Sequence, residues 1–193
     1  MRYLNIKKIV LSGLLVLAAI DVHAQADSLI DQMKAGGHIL MIRHAMAPGS
    51  GDPENFQIGD CSTQRNLDDR GRSQARAIGE WLRANGIEKA RMFSSQWCRC
   101  LDTARLIHLG PVTQLSALNS FYDRPQDREP NLKALRIFLA KQTSASELLI
   151  LVTHFVTISE ITGEAVSSGQ GVVLRVKEKG AYEVAGRLNF GYN

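Results

Sequence analysis

Two apolar runs constrain this chain more than anything else in it: "HILMIR" at 38–43 and "ELLILVTH" at 147–154. A strand with one wet face alternates apolar and polar residues. Runs without alternation belong in a sheet covered on both faces, as in parallel sheets with helices above and below. Both runs end in costly polar groups, Arg43 and His44 in the first and His154 in the second. Withdrawing such groups from water is unfavourable unless they are paired or used.

The rest of the chain supplies the helices. "DSLIDQMKAGG" reads as a short helix capped by Asp27, and "DDRGRSQARAIGEWLRANG" at 68–86 as a longer one that Gly86 stops. "KARMFSS" is a further strand, with "CRCLDTARLIHLG" at 98–110 a helix directly after it. Beyond Pro111 the sequence predicts a loop-rich stretch with no strand marked in it, then a helix in "EPNLKALRIFLAKQ" at 129–142. A short helix is expected over about 157–162, and "GVVLRVKEKGAYEVAGRLNF" predicts a hairpin turning near Lys179-Gly180. Residues 46–66, rich in Gly, Pro, Asp and Asn, form a loop over the end of the first strand. The alternation predicts an α/β three-layer sandwich: a central, mostly parallel sheet flanked by helices, plus a C-terminal hairpin. Ligands in such sheets sit beyond the carboxyl ends of the strands, where Arg43, His44, Arg99 and His154 converge.

The first 24 residues read as a signal peptide. Arg2, Lys7 and Lys8 precede an apolar run from Ile9 to Ile20, and Val22-His23-Ala24 is a small-residue cleavage site. The run is too short to span a bilayer, so no membrane span is expected after cleavage. Residues 25–193 then form one domain, and export from a Gram-negative cell would make it periplasmic. The formal charge of +4 falls to +2 once Arg2, Lys7, Lys8 and Asp21 are set aside. That is too mild for a nucleic-acid partner but compatible with a small anionic substrate. In an oxidising compartment Cys61 can pair with Cys98 or Cys100, or all three can remain buried thiols.

The motifs "IRHA" at 42–45, "LDDRGRSQA" at 67–75, "SSQWCRCLDTA" at 94–104 and "VTH" at 152–154 resemble, in order and separation, the histidine phosphatase (phosphoglycerate mutase-like) superfamily. "DCSTQRNL", "SSQWCRCLDTA" and "LNSFYD" also resemble an exported branch that includes lipopolysaccharide core heptose-phosphate phosphatases. The resemblance implies a phosphomonoesterase in which His44 is the nucleophile and carries a phosphohistidine. A neutral imidazole, with an ordinary pKa of about 6.5, can present a free nitrogen to phosphorus. Arg43 and Arg99 are implied to clamp the phosphate and His154 to donate to its oxygens, since guanidinium forks match phosphate edges. Arg65 either reaches the phosphate or pairs with nearby acids. Trp97 either walls the pocket or packs in the core, and Gln74 reads as packing.

The proton donor is not assigned by the resemblance. Where the acid-phosphatase branch has an aspartate after the second histidine, this chain has Phe155. Asp123, Asp127 and Glu129 in "FYDRPQDREP" are the candidates, and Asp123 is preferred because burial beside Phe121-Tyr122 would raise its pKa. Ala45 stands where many relatives have glycine, so negative φ is expected there. No cofactor or metal is expected: His38 and His44 are six residues apart, roughly 20 Å along a strand. The alternatives are a metal hydrolase, a phosphomutase using the same phosphohistidine, and a non-catalytic exported phosphate-binding protein. The leading substrate is a small phosphate ester or phosphorylated glycan, with a lipopolysaccharide core sugar implied by the narrower resemblance.

Overall fold

The computed structural model describes residues 29–191. The signal-peptide reading and the Asp27 cap fall outside them. Six strands form one sheet in the order β3-β2-β4-β1-β5-β6. They are β1 (His38–Arg43), β2 (Arg91–Ser94), β3 (Val112–Gln114), β4 (Leu149–Thr153), β5 (Gly171–Val176) and β6 (Tyr182–Leu188). β1, β2, β3 and β4 run parallel; β5 pairs antiparallel with β1 and closes a hairpin with β6. The expected α/β architecture is therefore present, and Glu178–Gly180 makes the hairpin turn.

Strand alternation sorts the core into two layers, because successive side chains point to opposite faces. Leu40, Ile42, Ile150 and Val152 pack on one side with Ile78 and Leu82 of α2 (Asp69–Ala84) and Ala104 and Ile107 of α3 (Cys98–Ile107). Ile39, Met41, Leu149 and Leu151 pack on the other side. Their partners are Leu132, Leu135 and Leu139 of α4 (Arg128–Ala140), with Ile158 and Ile161 of α5 (Phe155–Thr162). A helix over residues 29–34, α1, adds Leu29, Ile30 and Met33 to the first layer. The uninterrupted apolar runs follow from this: both faces of β1 and β4 are covered.

Two expectations need correction. Residues after Pro111 are not all loop, since Val112–Gln114 forms the short edge strand β3 beside β2. Three residues, two of them exposed, carry too little alternation to announce a strand. α5 begins at Phe155 rather than near Thr157, with His154 itself as the extended N-cap. In α2 the ends match their signals: the Asp68 side chain accepts from Gly71 N at its start, and Gly86 follows its end at φ +82°.

Candidate active site

Strand register brings the site together. Arg43 of β1 lies opposite Thr153 of β4, so the next residues, His44 and His154, leave the sheet side by side with ring centroids 5.5 Å apart. On the other side of β4, Ser94 pairs with Val152, which delivers Ser95 and the start of α3 to the same edge. Arg43, His44, Arg65, Arg99, Asp123 and His154 line one hollow of about 290 Å³. A larger cleft, about 680 Å³, opens at the opposite ends of the strands, lined by residues 33–36, 86–89 and 145–148, with neither histidine nor arginine among them.

The backbone at His44 is held on every side. His44 N donates to Thr153 O at 2.9 Å, Ala45 N to Thr103 Oγ1 at 3.0 Å, and Met46 N to Gln74 Oε1 at 2.9 Å. Gln74 thus does more than pack, because its amide also reaches Ser168 O at 3.0 Å and ties two loops to α2. Gly71 is required there: a Cβ would stand 1.9 Å from Met46 O. Ala45 has negative φ, as expected, since His108 and Lys179 are the non-glycine residues with positive φ among the described ones.

Hydrogen bonding fixes the His44 tautomer. Nδ1 lies 2.7 Å from Ala45 O, and a carbonyl can only accept, so Nδ1 carries the proton and Nε2 keeps its lone pair. Burial first, then the positive charge of Arg99, lowers the His44 pKa to about 3, so the ring is neutral at physiological pH. His154 is held well below its ordinary value by the same two causes, with His44 adding to them. Its Nε2 meets Ser95 Oγ at 2.9 Å and the buried Cys100 thiol at 3.4 Å. Burial pushes that thiol up to about 12, so it stays protonated.

The arginines differ in how they are held. Arg43 donates from Nη1 to Val166 O at 3.1 Å, with its guanidinium 5.2 Å over the Phe155 ring. Arg65 lines the hollow while donating to the Ala47 and Gly51 carbonyls; it pairs with backbone rather than with an acid. Arg99 forms a buried two-point ion pair with Asp52, at 2.7 and 3.0 Å. The Nε atoms of Arg43 and Arg99 are buried without a hydrogen-bond partner. A buried donor without a partner is unfavourable, and an acceptor brought within reach would relieve it.

Of the three acidic candidates, Asp123 alone reaches the hollow. Asp127 pairs with Arg124 at 2.5 Å and Glu129 with Arg128, and neither lines it. The reason given for preferring Asp123 does not hold, because Asp123 and Tyr122 are both exposed. Trp97 is 3% exposed and packs in the core, yet its indole N–H donates to Asp52 Oδ2 at 2.9 Å.

Sequence reasoning missed Asp52, Gln64 and Ser95. Gln64 accepts from Cys98 N at 2.9 Å, capping α3 from the loop. The disulfide is Cys61–Cys98, which binds that loop to the first residue of α3, and Cys100 is the free thiol. Asp52 sits in the Gly/Pro-rich stretch, where nothing periodic marks one acid from another.

Residues 39–122 match the model of the histidine phosphatase superfamily (branch 1). Over 74 residues, 38% of this chain, the sequence is 35% identical to the mitochondrial serine/threonine-protein phosphatase Pgam5 of Drosophila virilis and 34% identical to that of Drosophila grimshawi. The chain matches only 23% of the length of these relatives. Among solved structures, the protein histidine phosphatase SixA complexed with tungstate superposes with a TM-score of 0.55 at 14% identity, covering 79% of this chain and 97% of that one. A mutant phosphoserine phosphatase from Entamoeba histolytica, in complex with phosphoserine, gives 0.56 at 13% identity, covering 80% and 98%. The mycobacterial glucosyl-3-phosphoglycerate phosphatase with VO3 gives 0.55 at 14%, covering 77% and 97%. The matched segment runs from the strand leading to Arg43 and His44 through the helix bearing Arg99 to Tyr122, just short of Asp123, and the fold shared with these structures extends over the remaining strands.

Proposed function

We propose that this chain is an exported, metal-independent phosphomonoesterase that works through a phosphohistidine on His44. The observation that carries the reading is the His44 tautomer: Nδ1–H is committed to Ala45 O, in a ring kept neutral beside three arginines. Nε2 attacks phosphorus while the ester P–O bond breaks, and the leaving oxygen takes a proton from Asp123. Water, deprotonated by Asp123, then attacks the phosphohistidine, and inorganic phosphate departs with Nε2 restored. Arg43, Arg99 and Arg65 hold the equatorial oxygens, where charge is greatest in the transition state. His154 Nε2 meets Ser95 Oγ, whose own proton goes to Asn119 Oδ1, and the His154 ring lines the hollow, where it supports a phosphoryl oxygen.

Neutral imidazole, guanidinium and the Asp123 carboxyl supply all of this chemistry without a Lewis acid. Among the described residues no group of three or more His, Cys, Asp and Glu side chains is placed to hold a metal ion. The N-terminal pattern of residues 1–24 and the Cys61–Cys98 bridge support export, which in a Gram-negative cell means the periplasm. A phosphorylated sugar of the lipopolysaccharide core is the finer substrate proposal, supported by the "DCSTQRNL" and "LNSFYD" stretches.

The test is phosphate release from a panel of aryl, alkyl and sugar phosphates. Turnover should persist in a chelator and stop with vanadate. Complete loss in EDTA, restored by a divalent ion, overturns metal independence; an isomeric ester in place of inorganic phosphate makes the enzyme a mutase. A secreted form that does not begin at residue 25 sinks the proposed cleavage.

A further inference from the structure

Arg99 has five N–H groups, and their partners can be counted. Nη1 donates to Asp52 Oδ1 at 2.7 Å and to Arg65 O at 3.3 Å, while Nη2 donates to Asp52 Oδ2 at 3.0 Å. Nε has no partner and is buried. The carboxylate therefore grips the end of the guanidinium. What remains is the side-on edge: Nε–H and the Nη2–H beside it, two parallel donors that fit two oxygens of a phosphoryl group. Arg99 lines the hollow that His44 also lines.

Asp52 is itself immobilised. Its Oδ1 accepts Arg65 N at 3.1 Å and its Oδ2 accepts Trp97 Nε1 at 2.9 Å, in addition to the two bonds from Arg99. Four N–H donors fill the sites a carboxylate offers, and the side chain is 9% exposed. A buried ion pair contributes little net stability once desolvation is counted, so its worth lies elsewhere. Its neighbours are also built for it. Trp97 is stacked on Phe56 at 4.8 Å, and the Cys61–Cys98 bridge starts one residue before Arg99.

We propose that Asp52 is a positioning residue: it locks the end of the Arg99 guanidinium so that the side-on edge faces a phosphoryl group at His44. The inference rests on the phosphatase reading and adds to it a residue that touches no substrate atom. The competing account makes Asp52 a counter-ion that phosphate must displace. The two accounts differ in sign. A fixed fork favours the transition state over ground-state phosphate, whereas a competitor weakens both.

The experiment measures phosphate and vanadate binding by calorimetry on the full-length mature protein, alongside turnover, for wild type and Asp52→Asn. Asparagine keeps the shape but turns an N–H toward the Arg99 donors. The preference for vanadate over phosphate should fall ~30-fold, kcat should fall with it, and KM should move less than ~3-fold. The affinity ratio does not depend on the fraction of folded protein, so a loss of structure alone leaves it unmoved. A ratio equal to wild type, or tighter binding of both anions, overturns the proposal. If Asp52→Asn does not fold, Trp97→Phe removes one of the donors to Asp52 while keeping a ring. Its ratio should fall ~3-fold, by the loss of one hydrogen bond to a charged group, and an unchanged ratio overturns the proposal equally. Vanadate binding with no phosphate release from any ester refutes the phosphatase reading and leaves the Arg99 test intact. Normal turnover with an unmoved ratio refutes the Asp52 role alone.

Discussion

Arg43, His44 and His154 stand at the carboxyl ends of β1 and β4, whereas Asp52, Arg65 and Asp123 ride on irregular segments. The strand-borne groups inherit precision from the sheet. Arg43 N and His44 N extend the pattern of the ladder to Gln170 O and Thr153 O, and both histidines are 3% exposed. The loop-borne groups have no ladder and use staples instead: the Cys61–Cys98 bridge, Arg65 on two carbonyls, and the Asp52–Arg99 pair. The difference teaches that this site has a rigid half and a tethered half, which on the proposed mechanism serve bond formation and the handling of charge and protons respectively. Perturbing each half should have distinct consequences.

The largest effect belongs to the rigid half. His44→Ala removes the proposed nucleophile, and kcat should fall at least ~10⁴-fold, with no acid-labile phosphate trapped on quenched protein. Residual turnover near the wild-type rate would mean that another group takes the phosphoryl. His44 also links this half to pH. Its folded pKa, about 3, lies below the unfolded value of about 6.5, so the folded state binds fewer protons. The stability from keeping it neutral is complete above pH ~6.5 and is lost as pH falls toward ~3. Urea midpoints at pH 7 and pH 4.5 should therefore differ more in wild type than in His44→Ala, and equal differences would contradict the buried neutral ring.

Next in size is the proposed proton donor of the tethered half. Asp123→Asn should cut kcat for alkyl phosphates ~10²-fold to 10³-fold and for aryl phosphates less than ~10-fold, because a phenolate leaves without much protonation. Equal losses on both esters would make Asp123 a binding group. Normal alkyl hydrolysis would remove it from the mechanism. Its exposure makes this the test that most sharpens the comparison, since an acid held less firmly than His44 is what a tethered half provides.

The third effect concerns stability. Replacing Cys61 and Cys98 with serine opens a loop spanning 37 positions in sequence. The chain-entropy relation puts the loss at about 3–4 kcal/mol, readable as a lower urea midpoint. Hydrogen exchange should rise across residues 46–66 and at the start of α3, while β1 and β4 keep their protection. Uniform loss of protection would show that the two halves are not separable.

What could be read in advance follows the same division. Unbroken apolar runs encode two-sided burial, so β1, β4 and their terminal Arg43, His44 and His154 were legible from pattern alone. α2 and α3 were legible from caps, stops and spacing, and Arg99 from its place after β2. Loops carry no period. One aspartate in "SGDPEN" looks like any surface acid until the fold sets it against Arg99, and Ser95 acquires meaning through the β2–β4 register. The edge strand β3 stayed hidden for a related reason, since its pairing is supplied by β2 and not by its own three residues. Choosing between Cys98 and Cys100 likewise needs the helix: Cys98 opens α3 toward the loop, while Cys100 is buried beside His154.

The smallest effect lies where the halves meet. Phe155 is 39% exposed, its ring lies 5.2 Å from the Arg43 guanidinium carbon, and Tyr122 crosses it edge-on at 5.6 Å. A cation–ring contact at such exposure is worth about 0.5–1 kcal/mol, and Phe155→Leu keeps the apolar cover while deleting the ring. Arg43 retains its bond to Val166 O and its place at the end of β1, so the guanidinium should shift little. The expected result is a ~2- to 5-fold rise in KM with kcat nearly unchanged, the signature of lost ground-state support rather than lost transition-state contact. A fall in kcat of ~30-fold or more, well beyond a contact of this strength, would mean that the sheet alone does not hold Arg43. The rigid half would then depend on the Phe155 and Tyr122 rings, and the division between strand and tether would fail at its boundary.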